Sequence, residues 1–391
     1  MKIGIGLLIF ALSLPALAAP RTPTDDAQVV ERLRTGPSDP RILAARQLRG
    51  RLQREPTDLP LALQVARAYL TLGRDTSDPR YAGRAESALG PWWSMPDPPA
   101  EVLVMRATLK QNVHDFDAAL ADLKGALAKA PNDPQAWLLQ ASVLQVRGDL
   151  AGARKSCAKT LRLAPGLVSV TCLAGVVSLQ GGLASSRRLL ESSLSHDAGD
   201  PGVVLWARTT LAEMAMRAGA AAEAERQYRA ALQVAPGDPY LLGAYSDFLL
   251  DAGRNQEVIE LLREKTRADN LLLRLAIASQ RLAAPDAEAH RQALRDRFGA
   301  SHLRGEVVHR REESRFHLAL LGDPKGALQL AQDNWAVQRE PADARILLEA
   351  AIAMNDAAAA RPVLEALTAN RTEDATLRPL LAKLSATRSQ P

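Results

Sequence analysis

Two prolines, Pro131 and Pro165, stand 34 residues apart, each inside a phrase of the same shape, LAKAPNDPQAWLLQ and LRLAPGLVSV. A third phrase, LQVAPGDPYLL, puts Pro236 two further periods on plus three residues, which the loop HDAGDPG around Gly199 absorbs. A fixed period of this length constrains the fold more than composition does. Each repeat must be one supersecondary unit that cannot bury its apolar face alone, so neighbours have to stack.

Within the unit that starts at Pro134, residue sizes follow the needs of a helix-turn-helix. Trp137 and Leu144 are apolar on a first helix, Ala141 lies between them at a close crossing, and Gly148 ends that helix. Ala153 sits on the second helix where the two touch, and Pro165 closes the unit. The same order is visible in Ala107, Ala119, Leu120, Ala126 and Pro131 before it, and in Ala212, Gly219, Ala224, Tyr228, Ala231 and Pro236 after it. Antiparallel helices approach closely only over small residues, and glycine supplies the turn between them. Composition agrees: 47% of residues are hydrophobic but only 4% aromatic, and alanine and leucine dominate, as closely packed helices require. The predicted fold class is all-α.

These residues resemble the tetratricopeptide-repeat (TPR) family, whose pattern is W-x2-L-G-x2-Y…A-x3-F…A…P. Here Ala141 stands for the glycine, Leu144 for the tyrosine, Cys157 for the large aromatic and Thr160 for the second alanine. The resemblance is strongest from Ala100 to Lys265. It implies a TPR-type α-solenoid, a right-handed superhelix of about nine hairpins with atypical ends as caps. The expected organisation is a cleaved leader at 1–18, a helical lead-in at 19–57, and an array at 58–268 with units near 58–99, 100–133, 134–167, 168–204, 205–238 and 239–268. Degenerate TPR-like hairpins follow at 269–370, then a capping helix and tail at 371–391. The stretch GASHLRGEVV, residues 299–308, interrupts the period and is where the array would divide into two rigid halves.

Family resemblance implies that set positions of each first helix line a concave groove. Carried over, these are Glu101, Val104, Thr108, Gln111 and Asn112, then Gln135, Leu138, Ser142, Gln145 and Val146. Further along come Trp206, Thr209, Glu213, Met216 and Arg217, then Tyr240, Asp247 and Asp251. Such a groove is amide-rich and then acidic. Some TPR domains clamp a terminal carboxylate with basic groove residues, but Val104 and Leu138 occupy a position that clamp needs. An extended segment held through its backbone by amide side chains, with a basic residue near Asp247 and Asp251, fits better. Trp92 and Trp93, in GPWWSMPDPPA, are either an exposed contact loop or, as is favoured, a plug between the enlarged first unit and the next.

The chain opens MKIGIGLLIFALSLPALAAP, a basic residue, an apolar run and a small-x-small triplet, which is the layout of a secretory leader cleaved near Ala18. Export to the periplasm, or secretion, is therefore expected, with no membrane span. In an oxidising compartment Cys157 and Cys172 are candidates for a disulfide, while a buried apolar filler at Cys157 is an equal alternative. Net charge is +5, but arginine alternates with acid as on a solvated face, without a basic stripe, which argues against nucleic acid. If SHLRGEVVHRREESRFHLALL is one helix, His309, Glu313 and His317 share a face, with His302 a little earlier. That is a weak candidate metal site, against a charge-paired solvated stripe. No nucleophile elbow, phosphate loop or Cys/His dyad is present, so neither catalysis nor a cofactor is expected. The functional expectation is a scaffold or adaptor for a protein or peptide partner in cell-envelope assembly or secretion. The alternative is a metal-handling protein using the 302–317 stripe. No partner or oligomeric state is specified.

Overall fold

A computed structural model describes residues 39–196, 199–306 and 308–388. The leader at 1–18 lies outside them. Among the described residues there are helices and no strands.

Helix α1 (Pro40–Leu52) leads into nine successive hairpins. Unit 1 pairs α2 (Leu59–Thr76) with α3 (Arg80–Ala88), followed by the single turn α4 (Gly90–Trp93). Unit 2 is α5 (Ala100–Asn112) and α6 (Phe116–Lys129); unit 3 is α7 (Pro134–Val146) and α8 (Leu150–Leu163); unit 4 is α9 (Leu167–Val177) and α10 (Leu183–His196). Unit 5 is α11 (Pro201–Arg217) and α12 (Ala221–Val234); unit 6 is α13 (Pro239–Asp251) and α14 (Asn255–Leu262). Unit 7 is α15 (Asp269–Arg281) and α16 (Ala287–Leu303). Unit 8 pairs α17 (Arg310–Phe316), which runs on into a π-helical turn (His317–Leu321), with α18 (Pro324–Trp335). Unit 9 is α19 (Pro341–Ala353) and α20 (Arg361–Asn370), and α21 (Arg378–Arg388) ends the array.

Local chemistry sets the hairpins. First helices open on Asp-Pro at Asp133-Pro134, Asp200-Pro201 and Asp238-Pro239, the aspartate capping a free backbone N–H and the proline supplying helical φ. Asp323-Pro324 opens α18 in the same way. The turn between the two helices of each unit holds one residue in the left-handed region: Ser77, His114, Gly148, Gly181, Gly219, Gly253, Ala283, Gly322 and Asn355. Small residues then let the helices touch. Ala107 against Ala119, Ala141 against Ala153 and Ala212 against Ala224 are all essentially inaccessible, so larger side chains there would force the pair apart. Leucines such as Leu123, Leu190 and Leu249 fill the space between units, each contributing roughly 1.5–3 kcal/mol by burial. Tyr228, Tyr245 and Phe248 interlock units 5 and 6, with ring centroids 5.5–6.0 Å apart.

The solenoid curls until its ends meet. The loop before α19 reaches the turns of units 2 and 3: Gln338 Nε2 lies 3.1 Å from His114 Nδ1, and the Arg339 N–H donates to the Val146 carbonyl at 2.8 Å. The loop after α20 reaches the next two turns. Thr372 Oγ1 donates to the Leu179 carbonyl at 3.1 Å, and the Ala375 N–H donates to the Arg217 carbonyl at 2.7 Å. Four consecutive turns are thus joined to two loops of unit 9; of the interruption expected at 299–308, α16 takes in the first part, to Leu303, and Gly305 turns the chain after it.

Candidate functional site

Closure converts the concave face into a chamber of about 760 Å³. Its wall is made by the first helices of units 3 to 9. Gln135, Leu138, Ser142, Gln145 and Val146 come from α7, Trp206, Thr209, Glu213, Met216 and Arg217 from α11, and Tyr240, Asp247 and Asp251 from α13. These are the residues that the repeat register places in a groove. The α5 residues Glu101, Thr108, Gln111 and Asn112 do not line the chamber; Gln111 instead donates to Ser142 Oγ at 3.2 Å, and Thr108 Oγ1 to its own helix. The groove expected from sequence omits α9 and the turn after it, which add Thr171, Gly175 and Leu179, and α15, α17 and α19, which add Arg274, Arg311, Arg315, Arg345 and Glu349. The same register counted from Pro341 lands on Ala342, Arg345 and Glu349, so the signal for α19 is present in the sequence.

The acidic character expected at Asp247 and Asp251 is corrected by those arginines. Arg274 and Arg315 both donate to Asp247 at 2.5 Å, and Arg345 Nη2 donates to Asp251 at 2.7 Å. Burial alone would raise the Asp247 carboxyl, but the two guanidinium groups outweigh it and hold the carboxyl well below the usual carboxylate range. Both carboxylates are therefore already engaged by the chain itself.

The other side of the chamber is differently balanced. One guanidinium, Arg311, is shared at 3.3 Å by Glu312, Glu340 and Asp343. Burial, to which Asp343 and Glu213 add, pushes the Glu340 carboxyl up against the opposing pull of Arg311. Glu213 accepts a hydrogen bond from the Tyr240 hydroxyl at 2.6 Å, and burial raises its carboxyl too. Arg217, four residues along α11, turns away to donate to the carbonyl and hydroxyl of Ser178 at 2.9 and 2.7 Å. Trp206 and Tyr240, which also line the chamber, remain 39% and 64% exposed.

The structure agrees with the favoured reading of Trp92 and Trp93 and corrects the single helix supposed for the 302–317 stripe. Trp92 is buried among Tyr69, Tyr81 and Leu89, with Trp93 packed against the same cluster and its carbonyl accepting from Arg106 at 2.8 Å, so the pair is a plug and not a contact loop. The 302–317 stripe is not one helix: α16 ends at Leu303, Gly305 takes φ +69°, and α17 starts at Arg310. His302 Nε2 lies 3.0 Å from Glu313, His317 Nδ1 pairs with Asp323 at 2.9 Å, and His309 stands at the start of α17. No group of three ligating side chains converges on a metal position among the described residues. Cys157 on α8 and Cys172 on α9 are joined in a disulfide, and no helix among the described residues is long and apolar enough to cross a membrane.

Residues 104–168 match the family model for the tetratricopeptide repeat. Among solved structures the chain is similar to a thermophilic TPR protein of Thermus thermophilus, at 22% identity and TM-score 0.40 over 48% of this chain and 97% of that one. It is also similar to a tetratricopeptide repeat protein of Parabacteroides merdae, at 14% identity and TM-score 0.37 over 73% of this chain and 99% of that one. A third is a chain of the APC/C hetero-tetramer Cut9-Hcn1, at 13% identity and TM-score 0.45 over 79% of this chain and 58% of that one. No curated protein matches the chain.

Proposed function

We propose that the chain is a tetratricopeptide-repeat scaffold, residues 104–168 matching that family's model, and that its chamber holds an extended segment of a protein partner, since such repeats are scaffolds for protein-protein interaction. The observation that carries this reading is the chamber itself. Seven successive first helices turn amide, hydroxyl and charged side chains into one volume of about 760 Å³, within the range of about 300–1,000 Å³ typical of ligand sites. A folded domain does not fit; a short stretch of extended chain does, with Gln135, Gln145 and Ser142 placed to pair with its backbone. The role is binding and not catalysis, in an exported protein that works in the cell envelope, where it assists assembly or secretion. The leader-like opening and the Cys157–Cys172 disulfide support that placement.

A photoreactive amino acid introduced at Ser142, inside the chamber, tests it in intact cells against one at Leu303, which is 91% exposed on the outside. Adducts with a discrete partner are expected from position 142 and not from 303. The reverse pattern would move the binding surface off the concave face.

A further inference from the structure

The charge pattern inside the chamber says more about the occupant. We propose that the held segment presents a basic side chain, lysine or arginine, whose cation sits between Glu213 and Glu340 beside Trp206 and Tyr240. The inference rests on the segment-binding reading and deepens it.

The argument is one of unequal compensation. Around Asp247 there are two guanidinium groups for one carboxylate, and Asp251 has Arg345. That part of the wall is closed electrostatically, so a ligand cation placed there would meet arginine. At Glu213 and Glu340 the proportion is inverted, because Arg311 serves three carboxylates and Glu213 is hydrogen-bonded to the neutral Tyr240 hydroxyl, with Arg217 attracting it without an ion pair. The cation one turn along the same helix, Arg217, is fastened to Ser178. Asp374 and Glu373 face Arg217 together with Glu213, so that this cation is shared among three carboxylates as well.

A buried carboxylate with too little counter-charge is raised, and burial raises both Glu213, against Tyr240 and Arg217, and Glu340, against Arg311. An incoming ammonium or guanidinium opposes this: it makes charge-assisted hydrogen bonds to the two carboxylates and favours their ionised form. The neighbouring rings add to the selection, since a cation over the face of tryptophan or tyrosine is attracted by the ring quadrupole. An acidic or neutral segment gains none of these contacts. Binding of the basic segment should therefore release protons and weaken as pH falls through the titration of Glu213 and Glu340, with Tyr240, Arg311, Glu312 and Asp343 the other groups facing them.

The test is selection of a random heptapeptide display library on the full chain, in parallel with Glu213→Gln and the Glu213→Gln/Glu340→Gln pair. Glutamine keeps the Tyr240 hydrogen bond and the capping oxygen of α19; melting temperature checks folding, and Glu213→Gln alone serves if Glu340→Gln lowers it. A Ser142→Trp variant, which obstructs the chamber at α7, sets the background. Peptides enriched over that background should carry lysine or arginine at a fixed position, and their affinity should drop at least tenfold on the glutamine variants and between pH 7.5 and 5. Enriched peptides with no basic position, or a basic preference that survives in the variants, overturn the inference and leave segment binding intact. No enrichment over the Ser142→Trp background overturns both.

Discussion

The two sides of the chamber are built on one repeat register but held by different forces. The wall from α7 and α9 presents uncharged side chains, Gln135, Ser142, Gln145 and Thr171 among them. The end of α7 is joined to the far end of the chain by the Arg339 N–H, the turn after α9 by the Thr372 hydroxyl, and α9 is tied to the second helix α8 behind it through the Cys157–Cys172 disulfide. The wall from α13 to α19 is charged, and its closing contacts are ion pairs across long chain separations: Asp247 to Arg315 and Asp251 to Arg345. A superhelix that closes on itself needs its last units to recognise particular earlier ones. Here ion pairs supply that recognition on one side, and carbonyls left over at the ends of first helices supply it on the other.

The charged wall should be the easier to break. Asp247→Ala leaves Arg274 and Arg315 facing one another without their shared anion, and removing one partner of an enclosed ion pair costs about 3–5 kcal/mol. Urea denaturation of the full chain reads it, and a loss below about 1 kcal/mol would show that chamber water already compensates the two arginines. The uncharged wall should instead respond to reductant. Opening the Cys157–Cys172 bond, whose loop spans 15 residues, should cost about 3 kcal/mol through the unfolded chain, and Asp247→Ala should leave that reductant-sensitive difference unchanged if the two walls are independent.

His114 tests where they meet. Its turn contacts Gln338, and burial, with the Arg311 charge adding, holds its imidazole down to about 4 against an ordinary 6.5. The folded state therefore binds fewer protons than the unfolded chain between these values. The stability this imidazole contributes is full above pH 6.5 and is lost as pH falls toward 4. With partial exposure the loss is about 2 kcal/mol. His114→Asn, which tolerates the left-handed backbone, should flatten this part of the pH profile; an unchanged slope would mean that His114 does not carry it, since the raised carboxylates Glu213 and Glu340 work with the opposite sign.

The fold was legible because the repeat is written in local terms. Ala141 must be small to let α7 meet α8, and Gly148 must turn left-handed, whatever the rest of the chain does. The Asp-Pro openings at Asp133, Asp200 and Asp238 carried the same message and were available to be read. The candidate site was half legible: register placed Gln135, Ser142, Glu213 and Tyr240 on one face, but nothing local shows that Asp247 will meet Arg315, 68 residues on, or Asp251 meet Arg345, 94 residues on. An aspartate on a helix face looks acidic until its partner arrives. The backbone clasp was silent altogether, since any residue at Arg339 or Ala375 supplies an N–H. The His309–Glu313–His317 spacing misled for the opposite reason: it assumed a helix that Gly305 interrupts.

That silent clasp is open to the smallest and most local perturbation. Gly148 and Gly253 hold equivalent turn positions, with φ of +82° and +72°, so alanine at either should cost about 1 kcal/mol in backbone strain. Their surroundings differ. A methyl at Gly253 meets nothing within 4 Å, whereas at Gly148 it would stand 3.0–3.1 Å from the stem of Arg339, the residue whose N–H donates to Val146. Gly148→Ala should therefore push the loop before α19 off the turn of unit 3. It should be the less stable of the two by about 1 kcal/mol and show a larger radius of gyration by solution scattering, while Gly253→Ala keeps the native value. Equal losses with equal radii would mean that the backbone clasp contributes nothing to closure and that the ion pairs of the opposite wall hold the ring alone.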